Sequence, residues 1–290
     1  MIDIHAHVTY FGGPPRLDGT RNLTPEGLIE IYDRLGVDRA VLLPNIGPEH
    51  SFCVRTSEEV LHVCREFPDR YIPFCSVDPR ALTNTSDAPL GHLLEYYRDN
   101  GCRGVGEVTA NLPIEDAFVQ NLFKCSAAAG LPVTIHMAPQ VGGFYGLVDE
   151  PGLPGLRATL ERHPTLTVLG HSQMFWAEMA PLREGADRFR YPDTPIDEEG
   201  ATVRLLRDCP NLVGDLSANS GLNALRRDEA YAVGFLNEFQ DRLCFGLDIC
   251  QPKSPTGLVD LLKRFRQEGK ISEDVYRKVT VDNATCLLGL

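Results

Sequence analysis

The stretch MIDIHAH, residues 1–7, is a short apolar segment that runs directly into two histidines. Beyond it, short apolar runs alternate with segments whose apolar residues recur every three or four positions. Continuous apolar runs of this length are typical of parallel strands that are covered on both faces. The runs predict strands at residues 1–4, 40–43, 72–77, 104–108, 133–136, 167–169, 212–215 and 243–246.

Helical periodicity follows each predicted strand. The predicted helices are residues 24–35, 56–67, 89–100, 116–129, 155–163, 201–209 and 223–239, with additional C-terminal helices at 257–268 and 272–288. Eight strand–helix units in 290 residues predict the α/β class and a (β/α)8 TIM barrel, as a single domain over residues 1–290. The rival fold, an open doubly wound sheet, usually has a glycine-rich turn after its first strand, where this chain has His5-Ala6-His7.

The composition excludes several classes of partner. The chain has 28 Lys and Arg against 40 Asp and Glu, a formal charge of −12, which disfavours binding to nucleic acid or to anionic lipid. It has no run of 18 apolar residues, and its first residues lack the pattern of a secretory signal. The nine cysteines are scattered without a CxxC motif, as in reduced proteins. We therefore expect a cytoplasmic protein with a small-molecule substrate and neither a nucleic-acid nor a membrane partner.

Four of the eight histidines fall at predicted strand ends. His5 and His7 follow the first strand, His136 ends the fifth and His171 ends the sixth. Because a strand has a period of two residues, His5 and His7 point to the same side. The carboxyl ends of barrel strands converge over the mouth of the barrel, so the four side chains should meet there. His50, in the loop after the second strand, is a further candidate for this place.

Two carboxylates occupy equivalent positions. Glu107 ends the fourth strand and Asp248 follows the eighth. An unpaired carboxylate is costly to bury after an apolar strand, and a cation would neutralise it. A set of histidines and carboxylates is typical of a zinc site, with Mn²⁺ and Fe²⁺ as the alternatives.

These residues carry a resemblance to a known family. The order of His5-Ala6-His7, a strand-4 Glu, a strand-5 His, a strand-6 His and a strand-8 Asp resembles the amidohydrolase superfamily. More narrowly, the chain resembles the amidohydrolase-related family that includes enzymes like aminocarboxymuconate semialdehyde decarboxylase. The segments IDIHAH, VTIHM, VLGHSQ and DNATCLLGL support this resemblance over the whole chain.

The resemblance implies roles for individual residues. His5, His7, His136 and Asp248 match the metal ligands of the family. His171 matches a residue that is either a ligand of a second metal or a catalytic base. In hydrolytic members, Asp248 would also take a proton from the water that the metal activates.

The strand-4 residue departs from one pattern of the superfamily. Many members with two metals bridge them with a carboxylated lysine, whereas this chain has Glu107 at that position. Some members use a bridging Glu, so Glu107 is a further candidate metal ligand. We expect one ion, with two as the alternative. Barrels of this family often pair, so we also expect a homodimer.

From these residues we predict a metal-dependent hydrolase that acts on a small amide, lactone or related carbonyl compound through a metal-activated water. Asp248 or His171 would accept and return the proton. The alternative is a metal-dependent, non-oxidative decarboxylase or hydratase of a small aromatic or dicarboxylic acid. A metal-dependent nuclease is disfavoured by the acidic net charge. A barrel that binds a ligand without catalysis is disfavoured because a suitable ligand residue stands at every expected metal-binding position.

The substrate should contact residues in the loops that follow the strands. Arg16 and Arg80 are candidates to bind a substrate carboxylate, and Asn111, Tyr145 and Trp176 are candidates to line the pocket. Residues 184–200 form the longest irregular stretch. They are interpreted either as a solvated insertion or as a lid or dimer contact.

Overall fold

A computed structural model describes residues 1–49, 53–183 and 185–290. Its strands are β1 (Ile2–Ala6), β2 (Arg39–Leu42), β3 (Tyr71–Pro73), β4 (Val105–Val108), β5 (Val133–Ala138), β6 (Leu147–Val148), β7 (Val168–His171), β8 (Leu212–Asp215) and β9 (Leu243–Cys244). Its α-helices are α1 (Pro25–Leu35), α2 (Ser57–Glu66), α3 (Leu90–Asp99), α4 (Ala117–Ala129), α5 (Pro154–Arg162), α6 (Gln173–Ala177), α7 (Ala201–Asp208), α8 (Ala218–Arg226), α9 (Glu229–Glu238), α10 (Gly257–Gln267), α11 (Glu273–Arg277) and α12 (Asn283–Leu288).

Local sequence explains where several helices begin and end. In α1 the side chain of Thr24 accepts a hydrogen bond from the backbone N–H of Gly27, and Pro25 occupies the first turn, where no N–H is needed. Gly36 then ends the helix in the left-handed conformation that favours glycine. Among the described residues, no helix is both long enough and apolar enough to span a bilayer.

The strands form a ring of parallel neighbours. The order β1-β2-β3 makes one sheet and β4-β5-β7-β8-β9 makes the other. A parallel bridge between Cys75 and Val105 joins the residues after β3 to β4, and one between Ala6 and Ile249 joins β1 to the residues after β9. The predicted (β/α)8 barrel is therefore confirmed. The short strand β6 lies outside the ring and pairs with the end of β5.

A buried carboxylate fastens the closure between β1 and β9. One oxygen of Asp3, Oδ1, accepts hydrogen bonds from the backbone N–H of His5 at 2.9 Å and of Leu247 at 3.0 Å. The other, Oδ2, accepts a bond of 2.6 Å from the hydroxyl of Tyr32 on α1. Asp3 thus holds the backbone on both sides of the seam, next to His5 and Asp248.

Apolar residues fill the barrel in the alternating pattern that strands impose. Ile4, Leu43, Ile72 and Leu169 belong to a buried cluster inside the ring, which also includes Leu288 of α12. Their neighbours Ala40, Leu42, Tyr71 and Val168 belong to the larger cluster between the strands and the helices. Because both faces of the strands are buried, their residues are mostly apolar, as the sequence predicted, with Asp3 and His5 of β1 as buried polar exceptions.

The structure corrects some predicted elements. The helix predicted at residues 223–239 is two helices, α8 and α9, because Asp228 begins a new helix by accepting a hydrogen bond from the N–H of Tyr231. Neither β6 nor α6 was predicted. His5 lies within β1 and His136 within β5, so neither histidine marks the strand end that the sequence suggested.

Candidate functional site

Six side chains predicted from the sequence meet at the mouth of the barrel. We call them the histidine–carboxylate cluster; its members are His5, His7, Glu107, His136, His171 and Asp248. Each lies on a ring strand or in the first residues after one. The convergence follows from the barrel, because the carboxyl ends of its strands share one rim.

His5 in β1 and His7 just after it are each held in one orientation by a hydrogen bond. The Nδ1 of His7 donates to the carbonyl oxygen of Leu43 at 2.9 Å. The Nδ1 of His5 lies 2.7 Å from Asp215 Oδ2, an oxygen that can only accept when ionised. In the neutral form of each ring Nδ1 therefore carries the proton, and Nε2 keeps the lone pair that a metal ion would use. The two Nε2 atoms are 3.2 Å apart, so both lone pairs face the same place.

Glu107 faces both halves of the cluster. Its Oε2 lies 3.7 Å from the Nε2 atoms of both His5 and His7. Its Oε1 accepts a bond of 2.6 Å from His136 Nδ1 and lies 3.9 Å from His171 Nε2. A carboxylate placed in this way can ligate a single cation or bridge two.

Asp248 is the second carboxylate of the cluster and faces three of its histidines. Its Oδ1 is 3.6 Å from His7 Nε2 and 3.8 Å from His5 Nε2, and its Oδ2 is 4.0 Å from His171 Nε2. The side chain of Asp248 is 27% exposed, whereas that of Glu107 is 7% exposed. Asp248 is therefore the carboxylate of the cluster that a substrate or a water molecule reaches more easily.

The pKa shifts show a site arranged to receive a cation. Burial and the nearby His5 lower the pKa of both His7 and His171 to about 3, so both rings are neutral at pH 7. Burial also opposes charge on His5, but Asp215 and Asp248 outweigh it and raise the pKa of His5 well above its usual value. Carboxylates that favour a proton at this point also favour a metal ion there.

The donor set fits a divalent metal. Three overlapping groups have ligand atoms within 4.8 Å of one another: His5, His171 and Asp248; His5, His7 and Glu107; and Glu107, His136 and His171. Imidazole nitrogen and carboxylate oxygen are the ligands that Zn²⁺ and Mn²⁺ use in proteins. The overlap of the groups through Glu107 and His171 leaves both one and two ions compatible with the geometry.

Asp215 is a functional residue that the sequence analysis missed. It ends β8, is fully buried, and holds His5 Nδ1, while its Oδ2 is 3.5 Å from His171 Nδ1. Burial alone would raise its pKa, but the neighbouring His5 and His171 lower it below the usual value. The signal was available, because Asp215 ends an apolar strand just as Glu107 does.

Replacing Asp215 by Asn should weaken metal binding about 10- to 100-fold, the usual effect of losing a carboxylate behind a histidine ligand. The amide can donate to His5 Nδ1, which moves the ring proton to Nε2 and removes the lone pair. Competition with a chromogenic chelator measures the affinity. Asp241→Asn, at an exposed position, is the matched control. Equal affinities in both variants would contradict the assigned role of Asp215.

A cavity of about 130 Å³ opens beside the cluster. This is roughly ten times the volume that a single water needs, so a small molecule fits. His7, Glu107 and Asp248 line it, together with two of the predicted substrate residues, Arg16 and Tyr145. The ring of Tyr145 lies 4.3 Å from that of His136, between centroids.

Trp176 is not in this cavity, contrary to the prediction. It belongs to α6 and is 2% exposed, and its Nε1 donates to the backbone oxygen of Asp215. Its ring packs so tightly against Gly214 that a Cβ there would lie 2.8 Å from it. Trp176 therefore fills the space between β8 and the helices.

Asn111 and Arg80 also lie outside the cavity lining. The amide of Asn111 donates to the carbonyl oxygens of Gln140 and Gly146 and accepts from Gly142 N–H, so it ties together the loops after β4 and β5. The guanidinium of Arg80 is paired with Asp78 and Glu49. The polar groups of both residues are thus used within the protein, and their contact with a substrate stays a prediction.

Tyr191 belongs to the irregular segment at residues 184–200, where burial and the negative charge of Asp248 raise its pKa. Glu184, and the candidate His50, lie outside the described residues.

Comparison with known proteins places this architecture in a family. A family model for amidohydrolases matches residues 2–290. No curated protein sequence matches the chain. Among solved structures, 5-carboxyvanillate decarboxylase from Sphingomonas paucimobilis is similar, with 17% identity, a TM-score of 0.63, and coverage of 100% of this chain and 99% of that one.

Two further structures share the fold. A probable 2-pyrone-4,6-dicarboxylic acid hydrolase from Acinetobacter baumannii, with citric acid bound, is 16% identical, with a TM-score of 0.58 and coverage of 100% and 99%. The 5-carboxyvanillate decarboxylase from Novosphingobium aromaticivorans, complexed with manganese and a nitrobenzoic acid, is 17% identical, with a TM-score of 0.58 and coverage of 91% of this chain and 79% of that one. At these identities the likeness shows a shared fold.

Proposed function

Since the chain belongs to the amidohydrolase family, we propose that it is a metal-dependent enzyme that decarboxylates a small carboxylic acid without oxidation. The observation that carries the proposal is the histidine–carboxylate cluster, whose His5 and His7 lone pairs face one place beside a cavity. Two decarboxylases with the same fold support decarboxylation as the reaction. Hydrolysis, which the sequence analysis put first, becomes the second candidate.

His5, His7, His136 and Asp248 would hold the metal ion, for which Zn²⁺ is our first choice and Mn²⁺ the alternative. We propose one ion, with Glu107 as a further ligand. A divalent ion at this place supplies an electrophile that holds a substrate oxygen and stabilises the negative charge formed when CO₂ leaves.

His171 is our candidate for the proton transfer that completes the reaction. When the bond to the carboxylate breaks, its electron pair stays on the substrate carbon, and a proton must replace CO₂ there. The Ser217 hydroxyl lies 2.8 Å from His171 Nδ1, so the ring is held with Nε2 towards the cluster. Because its low pKa leaves His171 neutral at pH 7, the ring would first take up a proton from the substrate or from water and then deliver that proton to the carbon.

Hydrolysis is kept as the second candidate because of Asp248. Its partly exposed carboxylate faces both the cavity and the Nε2 atoms of His5 and His7. A base in that position can accept a proton from an attacking water molecule. The fold shared with a probable pyrone dicarboxylic acid hydrolase agrees with this reading.

One experiment separates the two candidates. The metal-loaded protein is incubated with small aromatic and dicarboxylic acids, and with lactones and amides, in deuterated and in ¹⁸O-labelled water. We expect release of CO₂ and a product with deuterium on carbon. Incorporation of ¹⁸O into a new carboxylate without release of CO₂ would establish hydrolysis instead.

A further inference from the structure

One wall of the cavity carries positive charge. Arg16, Arg55 and Asn22 line the same cavity as Glu107 and Asp248. Arg55 was not predicted from the sequence and is only 4% exposed. A two-way backbone bridge to Asn45, with both N–H···O bonds at 2.9 Å, fixes its position.

Several donors in this wall lack an acceptor. Arg55 Nη2 donates to Asn22 Oδ1 at 3.1 Å, which fixes the amide of Asn22 with its nitrogen turned away from Arg55. The buried Nε atoms of Arg16 and Arg55 and the buried Nδ2 of Asn22 have no hydrogen-bond partner in the described part of the chain. Within the same part, no carboxylate lies within 4.0 Å of either guanidinium.

Such an arrangement is unfavourable unless a ligand completes it. Each unsatisfied buried donor destabilises the folded protein, and the loss is larger when the group is charged. Burial, together with the charge of Arg16, lowers the pKa of Arg55. A carboxylate, with two acceptor oxygens and one negative charge, would accept hydrogen bonds from these donors and offset part of the positive charge.

We propose that Arg16, Arg55 and Asn22 form a carboxylate subsite that binds one carboxylate of the substrate, while a different substrate oxygen faces the histidine–carboxylate cluster. A carboxylate fits better than a phosphate, because the cavity is small and already contains the negative Glu107 and Asp248. The substrate class is therefore a small acid with a second oxygen function near its carboxylate. That this acid is a substrate rests on the proposed function, whereas the binding of a carboxylate by the subsite does not depend on that function.

The test measures binding without turnover. Benzoate, glutarate, benzamide and inorganic phosphate are titrated calorimetrically into the metal-free and the metal-loaded protein. We expect both carboxylates to bind metal-free protein, and benzamide and phosphate to bind much more weakly. Arg55→Met and, separately, Arg16→Met should each weaken carboxylate binding about 30-fold or more, because each removes a buried charged partner.

Arg39→Met is the matched control, because Arg39 also has a buried Nε without a partner but lies at the start of β2, outside this cavity. Thermal melting checks that each variant is folded. If Arg55→Met does not fold, Arg16→Met provides the test, because Arg16 is only half-buried. Carboxylate binding that is unchanged in both arginine variants would overturn the subsite. Binding that requires the metal would place the carboxylate on the cluster, overturning the subsite but leaving the proposed function intact. Stronger binding of phosphate would overturn the carboxylate assignment.

Discussion

Dialysis against a strong chelator should lower the activity of the protein at least about a thousandfold. Several kcal/mol of charge stabilisation by a bound metal corresponds to a factor of this size. Without the ion, the negative Glu107 and Asp248 face the place where further negative charge must develop, and neither neutral His7 nor neutral His171 compensates for it. Activity is followed with the acid identified in the substrate screen, and Zn²⁺ or Mn²⁺ added back should restore it.

A variant distinguishes the metal from nonspecific effects of the chelator. His136→Ala should reproduce the loss and reduce the metal content of the purified protein. His163→Ala is the matched control, because His163 lies after α5, where its Nε2 is 3.0 Å from Gln120 Oε1. A metal-free protein with full activity would exclude the proposed metal dependence.

His171→Asn should lower kcat about 100-fold or more, the usual contribution of a positioned acid–base group. Asparagine has a similar reach but cannot carry the transferred proton. If one ion is held mainly by His5, His7, His136 and Asp248, the variant should keep most of its metal. Metal analysis and steady-state kinetics of the same preparation therefore separate proton transfer from metal binding.

The control for this experiment is His92→Asn, at an exposed position on α3. It should retain both metal content and kcat. Wild-type kcat in His171→Asn would remove His171 from the mechanism. Parallel loss of metal and rate would make His171 a metal ligand and favour the two-ion arrangement through Glu107.

The barrel was predictable because its signal is repeated. Each apolar run had to be buried on both faces, and eight such runs separated by helical patterns match a closed ring better than an open sheet. Short elements lacked such a signal. The two residues of β6 form a strand through pairing with Met137 and Ala138 and with the chain at Pro113, and no periodicity can show this. The break at Asp228 was readable in principle as a helix-capping residue.

The cluster was predictable for a related reason, since strand ends are fixed once the barrel is known. Glu107 and Asp248 were found by asking which carboxylates follow apolar strands, and the same question would have found Asp215. Side chains in loops were harder. Trp176 has the chemistry of a pocket residue, but its hydrogen-bond partner Asp215 lies far away in sequence, so the direction of the side chain depends on the folded structure. Arg55 gained its place through a backbone bridge that no local pattern indicates.

The seam that Asp3 fastens has a consequence for how the protein is made. Asp3 and Leu247 are 244 positions apart, so His5 and His7 leave the ribosome long before Asp248 is synthesised. A nascent chain carries the first two histidines without the carboxylate that completes their side of the cluster. Strong metal capture therefore has to wait until the last strand of the ring has been translated and has docked beside the first. The metal would then select finished barrels, because only a closed ring brings its ligands together.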